Sequence, residues 1–144
     1  GFQILCESHL LPGVLLRNAN QQFISKNIYL TQDQAAPLKI PIAHGEGRYF
    51  ADEKTLDELE SCGQVLWKYC DEGGNITEAS NANGSTRNIA GICNKDRNVF
   101  GLMPHPERAR SEYLSNTDGR ILFRQLLMNR KIQIGNRQPE LANT

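Results

Sequence analysis

The segment Met103-Pro104-His105-Pro106-Glu107-Arg108 limits the local fold more than any other in this chain. Each proline fixes its own φ and biases the residue before it towards extended backbone, so we predict a stiff loop rather than a helix. The loop follows an apolar run from Val99 that is typical of a buried strand. An imidazole with a carboxylate two positions away suits general-base catalysis, because the carboxylate can orient the ring and stabilise its protonated form. We therefore predict that His105 and Glu107 are catalytic. The alternative is a surface histidine beside a solvated glutamate.

The length of the chain fits one domain, since 144 residues can bury a substantial core. Sixteen basic and sixteen acidic side chains cancel, so charge gives no indication of nucleic-acid or anionic-membrane binding. The apolar runs are too short to span a bilayer. The four cysteines have no C-x-x-C spacing, and we expect reduced thiols and a cytoplasmic protein.

The apolar pattern predicts alternating helices and strands, and hence an α/β fold with an antiparallel region in the middle. The first helix carries Phe2, Leu5, Cys6 and Leu10 and stops at Pro12-Gly13. A second helix is capped by Asp52 and ended by Gly63, and a third is capped by Asp118. The third should direct Ile121, Leu122, Leu126 and Leu127 inward. Strands are predicted over 14–17, 23–30, 38–42, 65–69, 89–93 and 99–103, with a loop at 32–37, a hairpin-type turn at 71–74 and a frayed polar tail from about 135.

A second candidate site is His44-Gly45-Glu46-Gly47, at the end of the strand that carries Ile40 and Ile42. The glycines would let the backbone approach a ligand closely or adopt positive φ. An ordinary glycine turn explains the same residues equally well, so the segment alone does not decide between the two interpretations.

Two other kinds of site are disfavoured. His44, Glu46, His105 and Glu107 form two His-x-Glu pairs, but no cysteine pair accompanies them, and we predict no metal. None of the cysteines lies on a glycine-flanked strand-to-helix elbow, the geometry that activates a thiol nucleophile. We expect all four to be small buried apolar residues: Cys6, Cys62, Cys70 and Cys93.

Taken together, the chain resembles the class I, triad-type glutamine amidotransferases, and within them the glutaminase subunits of phosphoribosylformylglycinamidine synthase. The resemblance extends in order over residues 1 to about 127. Pro-His-Pro-Glu is shared with other triad amidotransferases. The combination of His-Gly-Glu-Gly at 44–47 with Asn-Gly-Ser-x-Arg-Asn-Ile-Ala-Gly at 83–91 is much more specific to these purine subunits. The segments that carry the resemblance are Gly1–Glu7, Leu11–Gly13, Leu16–Asn18, Pro41–Gly47, Tyr69–Glu72, Asn83–Asn94 and Met103–Arg108.

The resemblance implies a flavodoxin-like mixed sheet flanked by helices, and a cysteine nucleophile. Gly1 and Gln3 match the second half of the family's Gly-x-Cys-x-Gly-x-Gln elbow, which places that cysteine two positions before Gly1. His105 would be the base and Glu107 its orienting group. Glutamine would be bound by Gln3 and by backbone groups around His44, Gly45 and Glu46.

The resemblance also implies a partner. Ammonia would pass to the synthetase subunit, which would bind ATP and Mg²⁺, so no cofactor is expected in this chain. Residues 1–144 would be the C-terminal portion of a glutamine amidotransferase domain, inactive alone and either poorly soluble or dependent on a second chain. Two alternatives remain open: a non-catalytic remnant that binds a partner, and a glutaminase of another biosynthetic pathway.

Overall fold

The computed structural model describes residues 1–32 and 35–135, and side chains up to residue 128. The predicted loop at 32–37 therefore includes two residues outside the described ranges, and the predicted tail beyond Gly135 also lies outside them. In chain order the elements are α1 (Phe2–Glu7), β1 (Val14–Leu16), β2 (Ile24–Thr31), β3 (Leu38–His44), β4 (Arg48–Phe50), α2 (Glu53–Ser61), β5 (Val65–Cys70), β6 (Ile89–Cys93), β7 (Phe100–Leu102) and α3 (Asp118–Gly135).

Five strands form one sheet in the order β3-β2-β5-β6-β7, and β1 pairs with β4 in a separate two-stranded sheet. Every pairing among the described strands is antiparallel. The α/β class and the antiparallel middle region are thus confirmed. The predicted pairing of the strands at 89–93 and 99–103 is also confirmed, as β6 and β7.

The strand β3 shows how the sequence pattern produces this sheet. Its apolar residues alternate with others, and Leu38, Ile40 and Ile42 are buried while Lys39 is exposed. Alternation of this kind directs one face of a strand to the core. Because β3 lies at an edge of the described sheet, it tolerates Pro41, which has no N–H to donate.

Two apolar clusters form the core. The first lies between the five-stranded sheet and α3 and includes Trp67 and Leu122. The second joins α1, α2 and the two-stranded sheet to β6, and in it Phe2 stacks on Tyr49 with ring centroids 5.6 Å apart. The site described below lies in the segment after β7, where the chain contacts both β3 and α3.

Helix α2 is the best predicted element. Asp52 Oδ1 accepts a hydrogen bond of 2.7 Å from Thr55 N, as a helix cap should, and Leu56 and Leu59 are buried. Gly63 follows the helix with φ +64°, which glycine adopts without strain.

Several predictions at element ends are wrong. Helix α1 ends at Glu7, so Leu10 is exposed and Leu11 is buried instead. Ile121 and Leu127 of α3 are exposed, and of the four predicted residues only Leu122 and Leu126 pack against the core. Asp118 begins α3 without capping it, and its carboxylate accepts a bond of 2.8 Å from Lys39 N.

The predicted hairpin-type turn at 71–74 is present, with Gly74 N donating to Asp71 O over 3.0 Å. It does not connect paired strands directly, because β5 pairs with β6, which begins only at Ile89. Within the described ranges, no helix is both long enough and apolar enough to cross a membrane.

Candidate active site

His105 and Glu107 form a close pair on the protein surface. His105 Nδ1 lies 2.7 Å from Glu107 Oε1, and the two side chains are 31 % and 56 % exposed. A carboxylate only accepts hydrogen bonds, so Nδ1 carries the proton and donates it. Nε2 has no hydrogen-bond partner among the described residues. The ring is thus oriented through one nitrogen, while the other is free to accept a proton.

The backbone of this segment is fixed from two sides. His105 N donates to Pro41 O of β3 over 2.8 Å, and Arg108 N donates back to His105 O over 3.0 Å, which closes a short 3-10 turn over Pro106–Arg108. The prolines therefore produce the expected non-helical approach, although the residues after His105 turn rather than extend.

Gly119 brings α3 close to this turn. Gly119 N donates to Ala109 O over 2.8 Å, and a Cβ at this position would overlap Pro106 O. Only glycine permits this approach of backbone to backbone. The sequence pattern does not identify Gly119, because its environment is created by contact between distant segments.

His44 lies near this pair but has very different surroundings. It is 6 % exposed, and a side chain at Gly47 would overlap its ring. Asn18, which is fully buried, accepts a bond from His44 Nδ1 at its Oδ1 over 3.0 Å, and the same oxygen accepts from Gly47 N over 3.2 Å. The Asn18 amide nitrogen donates to His44 O and Gln22 O, each over 2.8 Å.

Asn83 holds the opposite side of the ring. Its Nδ2 has two protons for three acceptors, Gly47 O at 2.9 Å, Tyr69 Oη at 3.1 Å and His44 Nε2 at 3.3 Å, so one proton is shared between two of them. Its Oδ1 accepts from Ser85 N and Oγ, at 3.0 and 2.6 Å. We call Asn18, His44 and Asn83 the amide–histidine network. Neither asparagine was predicted to be a site residue, although both lie in segments that carry the family resemblance.

The network requires a neutral His44 imidazole. Burial lowers the pKa of His44, and the nearby His105 lowers it further, against the opposing effect of a backbone hydrogen bond. With Nδ1 donating and Nε2 accepting, both ring nitrogens are occupied. Any contact of this residue with a ligand would therefore involve its backbone rather than its ring.

Among the described residues, no hydrogen bond joins the other predicted binding residues to His105 or Glu107. Gln3 is half-buried in α1, and its Nε2 donates to Glu7 Oε1 over 3.2 Å. Gly45 O accepts from Asn18 N over 2.9 Å, and Glu46 is exposed. Their role in binding glutamine stays a prediction.

The cysteines have surroundings unlike those of an activated nucleophile. Cys6, Cys70 and Cys93 are buried as expected, but Cys62 is exposed at the end of α2, which corrects that prediction. Burial, aided by neighbouring carboxylates, raises the pKa of the Cys6 and Cys70 thiols to about 11. None of the four thiols is hydrogen-bonded to His105.

The described residues around His105 do not form a metal centre. Among the described residues, no three His, Cys, Asp or Glu side chains are placed to hold a metal ion. A surface cavity of about 640 Å³ is lined by residues such as Thr31, Pro37 and Lys68. Since Leu38 of β3 pairs with Leu30 while His44 pairs with Ile24, this cavity lies at the opposite end of the sheet from His44.

Comparison with known proteins agrees with this description. The CobB/CobQ-like glutamine amidotransferase domain matches residues 1–121. The chain is 48 % identical over 137 residues to phosphoribosylformylglycinamidine synthase subunit PurQ of Chlorobaculum parvum, which covers 88 % of this chain and 54 % of that protein. The PurQ subunit of Aquifex aeolicus is 48 % identical over 138 residues, covering 88 % of this chain and 61 % of that protein.

A solved structure agrees with these sequences. PurLQS from Thermotoga maritima is 37 % identical with a TM-score of 0.69, covering 89 % of this chain and 57 % of that chain. The chain thus spans somewhat more than half the length of the relatives it matches. The resemblance predicted from the motifs is confirmed, and the chain belongs to the CobB/CobQ-like glutamine amidotransferase family.

Proposed function

We propose that this chain is part of the glutamine-hydrolysing subunit of phosphoribosylformylglycinamidine synthase, which supplies ammonia in purine biosynthesis. The observation that carries the proposal is the His105–Glu107 pair, at 2.7 Å, with Nε2 of the imidazole unoccupied. The names of the PurQ relatives support the pathway.

In the proposed reaction, His105 Nε2 takes the proton of a cysteine thiol. The thiolate attacks the carboxamide carbon of glutamine, and the C–N bond breaks as the imidazolium gives its proton to the leaving ammonia. Water then cleaves the glutamyl thioester and regenerates the thiol. Glu107 holds the ring and stabilises its positive charge during the first step.

The nucleophile would lie outside residues 1–144. The family elbow places it two positions before Gly1, and the raised thiol pKa values of Cys6, Cys70 and Cys93 disfavour these residues as substitutes. The 144 residues alone should therefore not hydrolyse glutamine, because loss of the nucleophile in a catalytic triad costs on the order of a millionfold in rate.

We assign glutamine binding to Gln3 and to the backbone around His44, Gly45 and Glu46, and we assign no cofactor to this chain. The partner would be the synthetase subunit of the same enzyme, where ATP and Mg²⁺ would bind. A cytoplasmic location fits the four free thiols.

Labelling with a glutamine-like diazo ketone tests the proposal. The native gene product would be treated with the reagent, digested and analysed by peptide mass spectrometry. We expect one label, on a cysteine just upstream of Gly1, and protection by glutamine. A label on Cys6, Cys62, Cys70 or Cys93 would contradict the assignment of the nucleophile, and absence of any label would contradict the glutaminase function.

A further inference from the structure

The amide–histidine network has only one hydrogen-bonding arrangement available. Asn83 cannot exchange its oxygen and nitrogen, because Nδ2 faces Gly47 O, which only accepts, and Oδ1 faces Ser85 N, which only donates. Asn18 is fixed in the same way by Gln22 O and Gly47 N. The backbone therefore orients both amides, and the amides determine which nitrogen of His44 carries its proton.

This network lies next to the candidate catalytic pair. His44 ends β3, and Pro41 of the same strand accepts the hydrogen bond from His105 N that fixes the catalytic loop. His105 is also close enough to lower the pKa of His44. A displacement of the end of β3 would therefore shift both the anchor of His105 and the turn at 44–47.

We propose that Asn83, acting through His44, is a positioning residue for glutamine hydrolysis: it holds the end of β3 and the 44–47 turn in the place that His105 requires. This inference rests on the proposed function. Displacement of reacting groups by about 1 Å can lower the rate about 100-fold, so such a residue need not contact the substrate.

The loop that carries Asn83 has other anchors, which makes the proposal testable. Arg87 pairs with Glu53, Asp57 and Glu60 of α2 at 2.7 to 3.0 Å. Asn88 Nδ2 donates to Tyr69 O and Thr77 O, at 3.2 and 2.8 Å. Removing the Asn83 amide should thus release His44, while Arg87 and Asn88 keep the rest of the loop bonded to its neighbours.

Three variants of the native gene product, assembled with its synthetase, would test the proposal. Asn83→Ala removes the donor to His44 Nε2. Asn83→Asp keeps the shape but replaces that donor with an acceptor. Asn88→Gly is the matched control, since it removes two amide hydrogen bonds from the same loop, one buried and one part-buried, and glycine suits its φ of +58°. The kcat and KM for glutamine would be measured from pH 6 to 8, together with the ¹⁵N spectrum of the His44 imidazole.

We expect Asn83→Ala to lower kcat about 10- to 100-fold, with a smaller change in KM, and to alter the His44 tautomer signal. Asn88→Gly should change neither kcat nor that signal by more than about twofold. The ratio of Asn83→Asp to wild-type kcat should rise as the pH falls, because a protonated His44 can donate to the new carboxylate. If Asn83→Ala does not fold, the pH dependence of the Asn83→Asp ratio still tests whether Asn83 acts through His44.

Three results would overturn the proposal. They are a wild-type kcat in Asn83→Ala, a loss of kcat in Asn88→Gly equal to that in Asn83→Ala, or a ratio of Asn83→Asp to wild-type kcat that does not change with pH. A wild-type protein that releases no ammonia from glutamine would overturn the proposed function itself. The two failures are therefore distinguishable.

Discussion

His44 is the last residue of β3, and His105 is hydrogen-bonded to the same strand through its backbone N–H, yet the two imidazoles differ in burial and in hydrogen bonding. His44 is buried with both ring nitrogens hydrogen-bonded, whereas His105 is partly exposed with only Nδ1 bonded. A histidine without a free nitrogen can stabilise a fold but cannot transfer a proton to a substrate. Proximity to a site therefore does not make a histidine catalytic, and the occupancy of its second nitrogen separates the two functions.

The largest expected effect follows from replacing the free imidazole. His105→Asn should lower the glutaminase kcat of the native gene product about 10⁴-fold, because no base remains to accept the thiol proton. His9→Asn is the control, since His9 is exposed and asparagine tolerates its φ of +60°. Steady-state ammonia release would measure both. A comparable loss of kcat in His9→Asn would contradict the catalytic role of His105.

The carboxylate that orients His105 should contribute less. Glu107→Gln removes the negative charge but keeps the shape, and we expect kcat to fall about 100-fold with little change in the free energy of unfolding. Glu112→Gln, at an exposed glutamate nearby, should leave the rate unchanged. An unaltered rate in Glu107→Gln would favour the interpretation of a solvated surface pair.

Removing a side chain of the amide–histidine network should lower the free energy of unfolding. Asn18→Ala leaves His44 Nδ1, Gly47 N and two carbonyl groups without their buried partner, and we expect a loss of about 2–4 kcal/mol in the free energy of unfolding. Denaturant titration of the native gene product measures it. Asn20→Ala is the exposed control and should cost less than about 1 kcal/mol. Equal losses would contradict the importance of burial.

Mild acid should lower the stability of the fold through His44. The pKa of His44 is lowered in the folded protein, so below about pH 6.5 the unfolded chain binds a proton that the folded one resists, and stability falls as pH falls. Above that pH this contribution is constant. Glu60, whose pKa is also lowered, acts only below about pH 4.5. Between about pH 5 and 6.5 the contribution of His44 to the free energy of unfolding should change by up to about 1.4 kcal/mol per pH unit, and His44→Gln should remove that contribution.

The smallest effect is expected at Arg87, whose ion pairs with α2 involve exposed carboxylates. Arg87→Met should lower stability slightly at low salt and not at all at high salt, since exposed pairs are screened. Unfolding curves at two salt concentrations would measure this. A large, salt-independent loss would contradict this expectation and show that Arg87 supports the 83–88 loop by packing rather than by its ion pairs.

Local pattern was sufficient for much of the fold. The alternation in β3, the Asp52 cap with its two inward leucines, and the β6–β7 pair were predicted because each depends on interactions between near neighbours in the chain. The ends of α1 and the exposed flanks of α3 were not, since the residues a helix buries depend on what packs against it.

For the site, the sequence by itself determined the His105–Glu107 pair, because two prolines and a spacing of two residues leave few arrangements in which the side chains do not meet. The tertiary structure alone decided the role of His44. Asn18 and Asn83 are 26 and 39 residues away from it in the chain, and Gly119 meets Pro106 only after α3 has docked. Hydrogen bonds between distant segments depend on how the chain folds back on itself, and no local pattern specifies them.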